Sequence, residues 1–257
     1  EPLKEFFKSL GLTLASFNFV GDFNWRHNFS GEPLLFWITG VFFVIGLLKS
    51  IVKMFKKIGE HGHPSTLHVL LLSWFFIMLL PSVLTIEGIP HALRSIGVLP
   101  VVMIFAAEGT WWVFETLIHW YRAKDIHPLE TVRQKEHEAA LIVGTALVIL
   151  MAAIGVAEYD KYFNKWALRP EVQDAFSSDF VELGRQINQL PKETPKYVVV
   201  NASGDLVNGI PMPAQTVMFI TSTFTQEKQK EKKVFYILPG EEKSIKEPNA
   251  VILPLLK

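Results

Sequence analysis

Four long apolar segments constrain the fold of this 257-residue chain more than any other feature. They cover residues 33–52, 67–86, 95–118 and 139–157. A helix needs about 20 predominantly apolar residues to cross a bilayer, and each segment has about that length. One such segment could be a buried core helix, but four in succession predict an α-helical membrane bundle of about four transmembrane helices over residues 33–157.

Basic residues in the connecting loops predict the orientation of this bundle. The first and third connections are rich in them, with Lys49 at the end of the first segment followed by Lys53, Lys56 and Lys57, and with Arg122, Lys124, Arg133 and Lys135 after the third segment. The loop after the second segment has only Arg94. Because basic loops stay in the cytoplasm, residues 1–32, the loop 87–94 and the chain after Ala157 are predicted to lie outside a plasma membrane that the chain crosses several times.

The composition from residue 158 onward is that of a soluble domain. Residues 171–190 have apolar positions at helical spacing, and β-branched runs at 197–200, 234–238 and 251–253 predict strands. A second helix is expected at 213–224 and a solvated, charged turn at 226–233. Residues 158–257 are therefore predicted to form a small extracytoplasmic α/β domain, after an extracytoplasmic amphipathic segment and loop at 1–32.

Composition also limits the partners. The formal net charge is zero, which gives no reason to expect nucleic acid, and the chain has no cysteine for disulfides or thiolate metal sites. His61, His63 and His68 are interpreted as part of a solvated loop, because no carboxylate partner is evident beside them. Neither a metal nor a cofactor is predicted.

The loop between the second and third segments carries three ionisable residues, Glu87, His91 and Arg94. Pro90 suits the first position of a helix, which would place His91 and Arg94 on one side of the first turn. A helix N-terminus favours anions, so this arrangement predicts a phosphate site at the membrane surface. The alternative is an Arg94 that merely extends to the lipid headgroups.

A second polar cluster, Asp22, Arg26, His27 and Asn28, precedes the first segment on the same predicted side. Such groups hold phosphates and sugar hydroxyls through charge-assisted hydrogen bonds. A turn with an interfacial Trp25 is the alternative. Since both clusters lie on one face, they are expected to converge on one cavity. Glu108, inside the third segment, is interpreted as interfacial because Trp111 and Trp112 follow it.

Several blocks occur in an order that carries a family resemblance. They are GDFNWRHN, PLLFWITGVFFVIGL, LLPS and EGIPHALRSIGVLP, followed by YFNKWALRPEVQDAF, LGRQINQLP, KYVVVN and PAQTVMF. The chain resembles bacterial membrane glycosyltransferases of family 39, which are relatives of protein O-mannosyltransferases in the GT-C superfamily. The resemblance covers most of the chain.

The resemblance implies transfer of a sugar from a polyprenyl-phosphate carrier to an acceptor protein or glycan on the outer face of the membrane. It implies that His91 and Arg94 stabilise the departing lipid phosphate, and that Asp22, Arg26, His27 and Asn28 shape the donor or acceptor pocket. The catalytic carboxylate of that group lies in an earlier outer loop. The chain, which opens on Glu1-Pro2 without a methionine, is therefore expected to be a catalytically incomplete C-terminal portion.

Two other functional classes are open from the residues alone. One is a non-catalytic membrane anchor for an extracytoplasmic binding module. The other is a subunit of a transporter for lipid-linked sugars, which should carry charges near the bilayer midplane.

Overall fold

A computed structural model describes residues 2–61, 63–85, 87–123 and 129–256, with the side chains of all of these except 57–61, 121–123 and 129–136. The predictions that rest on Lys57, His61, Ile86, Arg122, Lys124, Arg133 and Lys135 lie outside the described residues or side chains. The chain divides into two compact units, Glu1–Arg169 and Pro170–Lys257.

The first unit is helical. Its elements are α1 (Pro2–Ala15), α2 (Trp37–His61), α3 (Thr66–Val83), a 3-10 helix (Leu93–Val98), α4 (Leu99–Ala123), α5 (Leu129–Tyr159) and a π-helical turn (Asp160–Trp166). Within the described residues, four helical stretches are long and apolar enough to cross a membrane: Trp37–Lys56, Thr66–Val83, Leu93–Trp120 and His137–Trp166. The prediction of about four such helices is confirmed.

Side-chain exposure agrees with a lipid environment for α5. Leu141, Val148 and Val156 are each about 70% exposed, although they are among the most apolar residues of the helix. A soluble protein rarely exposes a continuous apolar surface of this kind. This surface therefore suits contact with lipid chains.

Four phenylalanines form the centre of the first unit. Phe17 follows α1, and Phe43, Phe75 and Phe105 come from α2, α3 and α4. Their neighbouring ring centroids are 5.4–6.4 Å apart, which is the range of favourable aromatic pairs. Phe17 is only 4% exposed in this cluster. Its burial therefore fixes the start of the loop that connects α1 to α2.

The second unit is a small α/β fold. Its elements are α6 (Pro170–Ala175), α7 (Ser178–Gln189), β1 (Lys196–Asn201), β2 (Leu206–Val207), β3 (Ile210–Pro211), α8 (Ala214–Thr221), α9 (Gln226–Lys232), β4 (Val234–Ile237), a 3-10 helix (Glu241–Ser244) and β5 (Val251–Leu256). Strands β4, β1 and β5 form a parallel sheet in that order, and β2 and β3 pair as a short hairpin. The predicted small α/β region is confirmed.

The core of the second unit lies between the sheet and two helices. Val198 of β1 is in register with Tyr236 and Leu253 of its neighbours. Helix α7 meets α8 at Gly184, where an added Cβ would lie 2.7 Å from the Ile220 side chain. A larger residue at Gly184 would therefore separate the two helices that cover the sheet.

Two local predictions for this unit were wrong. The expected helix at 171–190 is interrupted, because Ser177 adopts a left-handed conformation with φ of 51° between α6 and α7. Phe176 consequently leaves the apolar stripe and is 54% exposed. The expected turn at 226–233 is helix α9, whose first turn is capped by the Thr225 hydroxyl accepting the Lys228 N–H at 3.2 Å.

Candidate functional site

The first polar loop, residues 18–33, is closed on itself by backbone hydrogen bonds. At its base, Leu34 N–H donates to the Ser16 carbonyl at 2.9 Å, and inside it Gly21 N–H donates to the Gly31 carbonyl at 3.2 Å. Gly31 has a φ of +76°, and a Cβ on Gly21 would overlap a carbonyl oxygen across the loop. Both positions therefore require glycine, and they hold the polar side chains in a fixed frame.

Asp22 is the centre of the site, and it is only 4% exposed. Its Oδ1 accepts the Asn24 N–H at 2.7 Å. Its Oδ2 accepts the Ala92 N–H at 2.9 Å and lies 2.9 Å from His27 Nδ1. One buried carboxylate thus stabilises its own loop and also binds the loop that precedes α4, so the two polar clusters predicted from the sequence are in contact.

The second polar loop, residues 84–92, ends differently from the prediction. Pro90 was expected at the first position of a helix, but the helical segment begins at Leu93 and Ala92 is its N-cap. Pro90 itself follows a cis peptide bond. The Ala92 N–H is one of the donors that a helix start leaves free, and Asp22 of the other loop accepts it. This contact holds His91 before the helix, and the prediction that His91 and Arg94 share its first turn was wrong.

The imidazoles of His27 and His91 stack, with ring centroids 4.5 Å apart and planes inclined by 28°. Burial lowers the pKa of His91, and the charges of Arg94 and His27 lower it further, while Asp22 opposes the shift. The His91 imidazole is therefore neutral at pH 7. The Arg94 backbone N–H donates to His91 Nδ1 at 3.4 Å, so Nε2 is the His91 nitrogen that carries the hydrogen.

Arg94 is tied to its own loop. Its Nη1 donates to the Glu87 carbonyl at 2.9 Å, and Gly88 between them has a φ of +65°. The guanidinium has further N–H donors, and this single bond orients it without using all of them. Arg94 is partly exposed beside the His91 ring.

Asn28 joins the first polar loop to the end of α5. Its Nδ2 donates to the Glu32 carbonyl, and its Oδ1 accepts the Tyr162 hydroxyl at 3.4 Å. Trp166 Nε1 donates to the carbonyls of Trp25 and Asn28 at 3.1 and 3.0 Å. The π-helical turn thus also supports the first polar loop.

Two cations of the same segment also reach the loop. Lys161 Nζ lies 2.7 Å from Glu32 Oε2, and the Arg169 guanidinium lies 5.7 Å from the centre of the Phe29 ring. Sequence reasoning did not assign these residues, or Tyr162 and Trp166, to the site. The sequence pattern that could have indicated Tyr162 and Trp166 is the run YFNKW, which places these two residues one helical turn apart directly after an apolar span.

The remaining predicted residue, Arg26, is exposed, and its backbone N–H donates to Asn24 Oδ1 at 3.0 Å. The structure therefore brings Asp22, His27 and His91 into one cluster, with Asn28 and Arg94 beside it. One possible ligand atom from each of the three clustered side chains lies within 4.8 Å of the other two. A carboxylate and two imidazoles are also donors that divalent metals use.

Glu108 and His68 form a separate polar group between α2, α3 and α4. Glu108 Oε2 accepts the Ser50 hydroxyl at 3.1 Å, and Oε1 lies 3.5 Å from Lys53 Nζ and 3.6 Å from His68 Nε2. His68 is buried, and its Nδ1 is 2.7 Å from Ser65 Oγ. The interpretation of His68 as part of a solvated loop without a carboxylate partner was wrong. Its partner, Glu108, comes from another helix.

Comparisons of the chain with protein-family models, with curated proteins and with solved structures found no match.

Proposed function

We propose that this chain is the membrane region and extracytoplasmic domain of a GT-C glycosyltransferase that uses a polyprenyl-phosphate-linked sugar. The proposal rests on the sequence resemblance to family 39 and on one structural observation. The observation is the direct contact between the two polar loops, in which Asp22 accepts the Ala92 N–H and His27 stacks on His91. Both loops are therefore available to a single ligand.

An apolar cavity next to the second polar loop supports a lipid donor. The cavity has a volume of about 690 Å³ and is lined by side chains of α1, the end of α3 and the following loop, among them Phe6, Leu12, Val83, Leu84 and Ile89. Ile89 is two residues from His91. A polyprenyl phosphate carries an anionic head on an apolar chain, and it needs this combination of a polar site beside an apolar groove.

The predicted orientation places this site on the outer side. The basic residues Lys49, Lys53 and Lys56 lie in the last turns of the first span, at the opposite end of the bundle from both polar loops. By the positive-inside rule that end is cytoplasmic. The polar site and the α/β unit are then extracytoplasmic, where an acceptor protein or glycan of the cell envelope would be modified.

The residues have distinct roles in this proposal. In glycosyl transfer the bond between the sugar and the phosphate oxygen breaks, and negative charge develops on the departing phosphate. Arg94 and the N–H of the neutral His91 stabilise that charge. Asp22 is a positioning residue and not the base, because both of its carboxylate oxygens already accept hydrogen bonds inside the protein. The base that activates the acceptor hydroxyl is not assigned to this site.

The cluster around Glu108 does not favour transport over transfer. Lys53 lies in the last turn of the apolar span Trp37–Lys56, and His68 is the third residue of α3. The charges therefore lie toward one end of these two helices. A polar group at that depth suits a structural contact near the headgroups better than a pathway through the bilayer.

Binding of the carrier lipid tests the proposal directly. The purified full chain in detergent is titrated with a polyprenyl phosphate and, in parallel, with the polyprenol of the same length. We expect the phosphate to bind more tightly, and Arg94→Ala to remove most of that difference. A hydrogen bond to a charged group contributes about 1.5–3 kcal/mol, so the loss should be at least about tenfold in affinity.

Arg185→Ala is the matched control, because Arg185 is an exposed arginine of the second unit with a local partner at Glu182. It should bind like the wild type. Equal binding of the phosphate and the polyprenol by the wild type would refute the proposed donor. Wild-type binding by Arg94→Ala would refute the role of Arg94.

A further inference from the structure

We propose that Asp22, His27 and His91 form a binding site for a divalent transition metal of the zinc type. The three side chains come from two loops that are 64 residues apart in the sequence, from His27 to His91. All three are largely buried, with exposed side-chain fractions of 6, 14 and 16% for Asp22, His27 and His91. The site does not depend on the proposed glycosyl transfer.

The distances between the donor atoms fit a metal of this size. Asp22 Oδ2 lies 2.9 Å from His27 Nδ1 and 3.9 Å from His91 Nδ1. A tetrahedral zinc ion with ligands at about 2.0–2.2 Å holds its ligand atoms about 3.4 Å apart. Each of the two separations differs from that value by about half an ångström, and one possible ligand atom from each of the three side chains lies within 4.8 Å of the other two.

The loops hold these ligands in place without any ion. Asp22 Oδ1 is fixed by the Asn24 N–H, and Oδ2 by the Ala92 N–H, which uses one of its two lone pairs. The His91 carbonyl accepts the Ser95 hydroxyl at 3.2 Å. Contacts of this kind orient ligands in metal sites and raise affinity. Binding would replace the contact between His27 and Asp22 and the hydrogen bond from the Arg94 backbone N–H to His91 Nδ1. Each neutral imidazole would then carry its hydrogen on Nε2.

The donor set also indicates which ion would bind and how. Two imidazoles and one carboxylate are the protein ligands of many catalytic zinc sites, which keep a further position open for water or substrate. Imidazole binds metals through its neutral form. If the proposed function is also correct, the open position would take an oxygen of the donor phosphate.

Metal content tests the site without any lipid or sugar. The purified full chain in detergent is stripped with a chelator, equilibrated with Zn²⁺ or Co²⁺, and freed of unbound metal. We expect about one ion per chain by elemental mass spectrometry. With Co²⁺ we also expect a visible absorption band that is typical of a low coordination number. His27→Gln and His91→Gln should each bind at least about tenfold more weakly, whereas His119→Gln, at an exposed helical histidine, should bind like the wild type.

Thermal unfolding with and without Zn²⁺ keeps the test informative if a variant is less stable. Zinc should raise the Tm of the wild type and of His119→Gln by more than that of His27→Gln and His91→Gln. A wild type that holds no more zinc than His27→Gln would overturn the proposal, and the cluster would then be a hydrogen-bonded contact between loops. Since no donor lipid is present, this result is independent of the polyprenyl phosphate titration.

Discussion

Gly46 of α2 and Gly109 of α4 lie against each other. A Cβ on Gly46 would be 3.0 Å from the Gly109 nitrogen and would overlap the Phe105 carbonyl oxygen, and a Cβ on Gly109 would overlap the Phe42 carbonyl oxygen. Small residues let membrane helices approach at backbone distance. This contact joins the first and third predicted spans, and the polar loops lead into these two helices.

Gly109→Ala should therefore destabilise the helical unit. The added methyl group can be accommodated only if α2 and α4 separate, and overpacking of this kind costs about 1–3 kcal/mol. Gly155→Ala is the matched control, because a Cβ there has no neighbour within 4 Å, and alanine favours a helix by up to about 1 kcal/mol. Thermal unfolding in detergent should show a lower Tm for Gly109→Ala only. Equal Tm values would show that the helices are not in close contact.

Asp22→Ala should weaken the connection between the two polar loops. It leaves the N–H groups of Asn24 and Ala92 without their acceptor in a buried site, and each such loss costs about 1–3 kcal/mol. We expect a lower Tm, and a smaller decrease for Asp22→Asn, which keeps one acceptor oxygen. Asp205→Ala, at an exposed turn, is the control. If Asp22→Ala unfolds at the wild-type temperature, Asp22 does not hold the loops together.

Trp166→Phe should loosen the first polar loop where the π-helical turn contacts it. The change removes the indole N–H that donates to Trp25 and Asn28 and retains an aromatic ring. Each lost hydrogen bond contributes about 1 kcal/mol, so amide hydrogen exchange of residues 22–31 should become faster. Trp37→Phe, at a tryptophan that is 67% exposed, should leave this exchange unchanged. Unaltered exchange in Trp166→Phe would mean that the π-helical turn does not support the loop.

Much of the fold could be predicted because its signals are local. Apolar runs of membrane length and β-branched runs depend on neighbouring residues only, and they located the spans and the strands β1, β4 and β5. Ser177 shows where this fails, because its left-handed conformation interrupts an apolar period that continues across it. Helix α9 was missed because a charged heptapeptide has no apolar face, although Thr225 was available as its N-cap.

The site could be predicted only in its composition. The sequence indicated two polar clusters on one face, but the bond from Asp22 to Ala92 spans 70 residues and depends on how α2 and α3 pack. The same hydrogen bond bears on the wrong prediction for Pro90. The helical segment begins after Ala92 and not at Pro90, and the Asp22 carboxylate of the other loop accepts the Ala92 N–H at that start. The contacts of Asn28 with Tyr162 and Trp166 span more than 130 residues, and no local pattern contains them.

Tyr236 makes the stability of the α/β unit sensitive to alkaline pH. Its hydroxyl is buried with those of Thr223 and Thr221, at 2.7 and 3.2 Å, and burial raises its pKa above the ordinary value of about 10. The unfolded chain therefore loses this proton at a lower pH than the folded one. The free energy of unfolding is unaffected below about pH 10 and falls above it, until the folded hydroxyl also ionises.

Tyr236→Phe should reduce this fall, because the variant has no proton to lose there and Thr221 and Thr223 remain paired at 2.7 Å. Denaturant unfolding of the full chain between about pH 9 and 11, followed by hydrogen exchange in β4, measures the effect. Tyr159→Phe, at an exposed tyrosine outside this unit, is the control and should keep the wild-type slope. The same slope in Tyr236→Phe and the wild type would show that the Tyr236 hydroxyl ionises equally in both states.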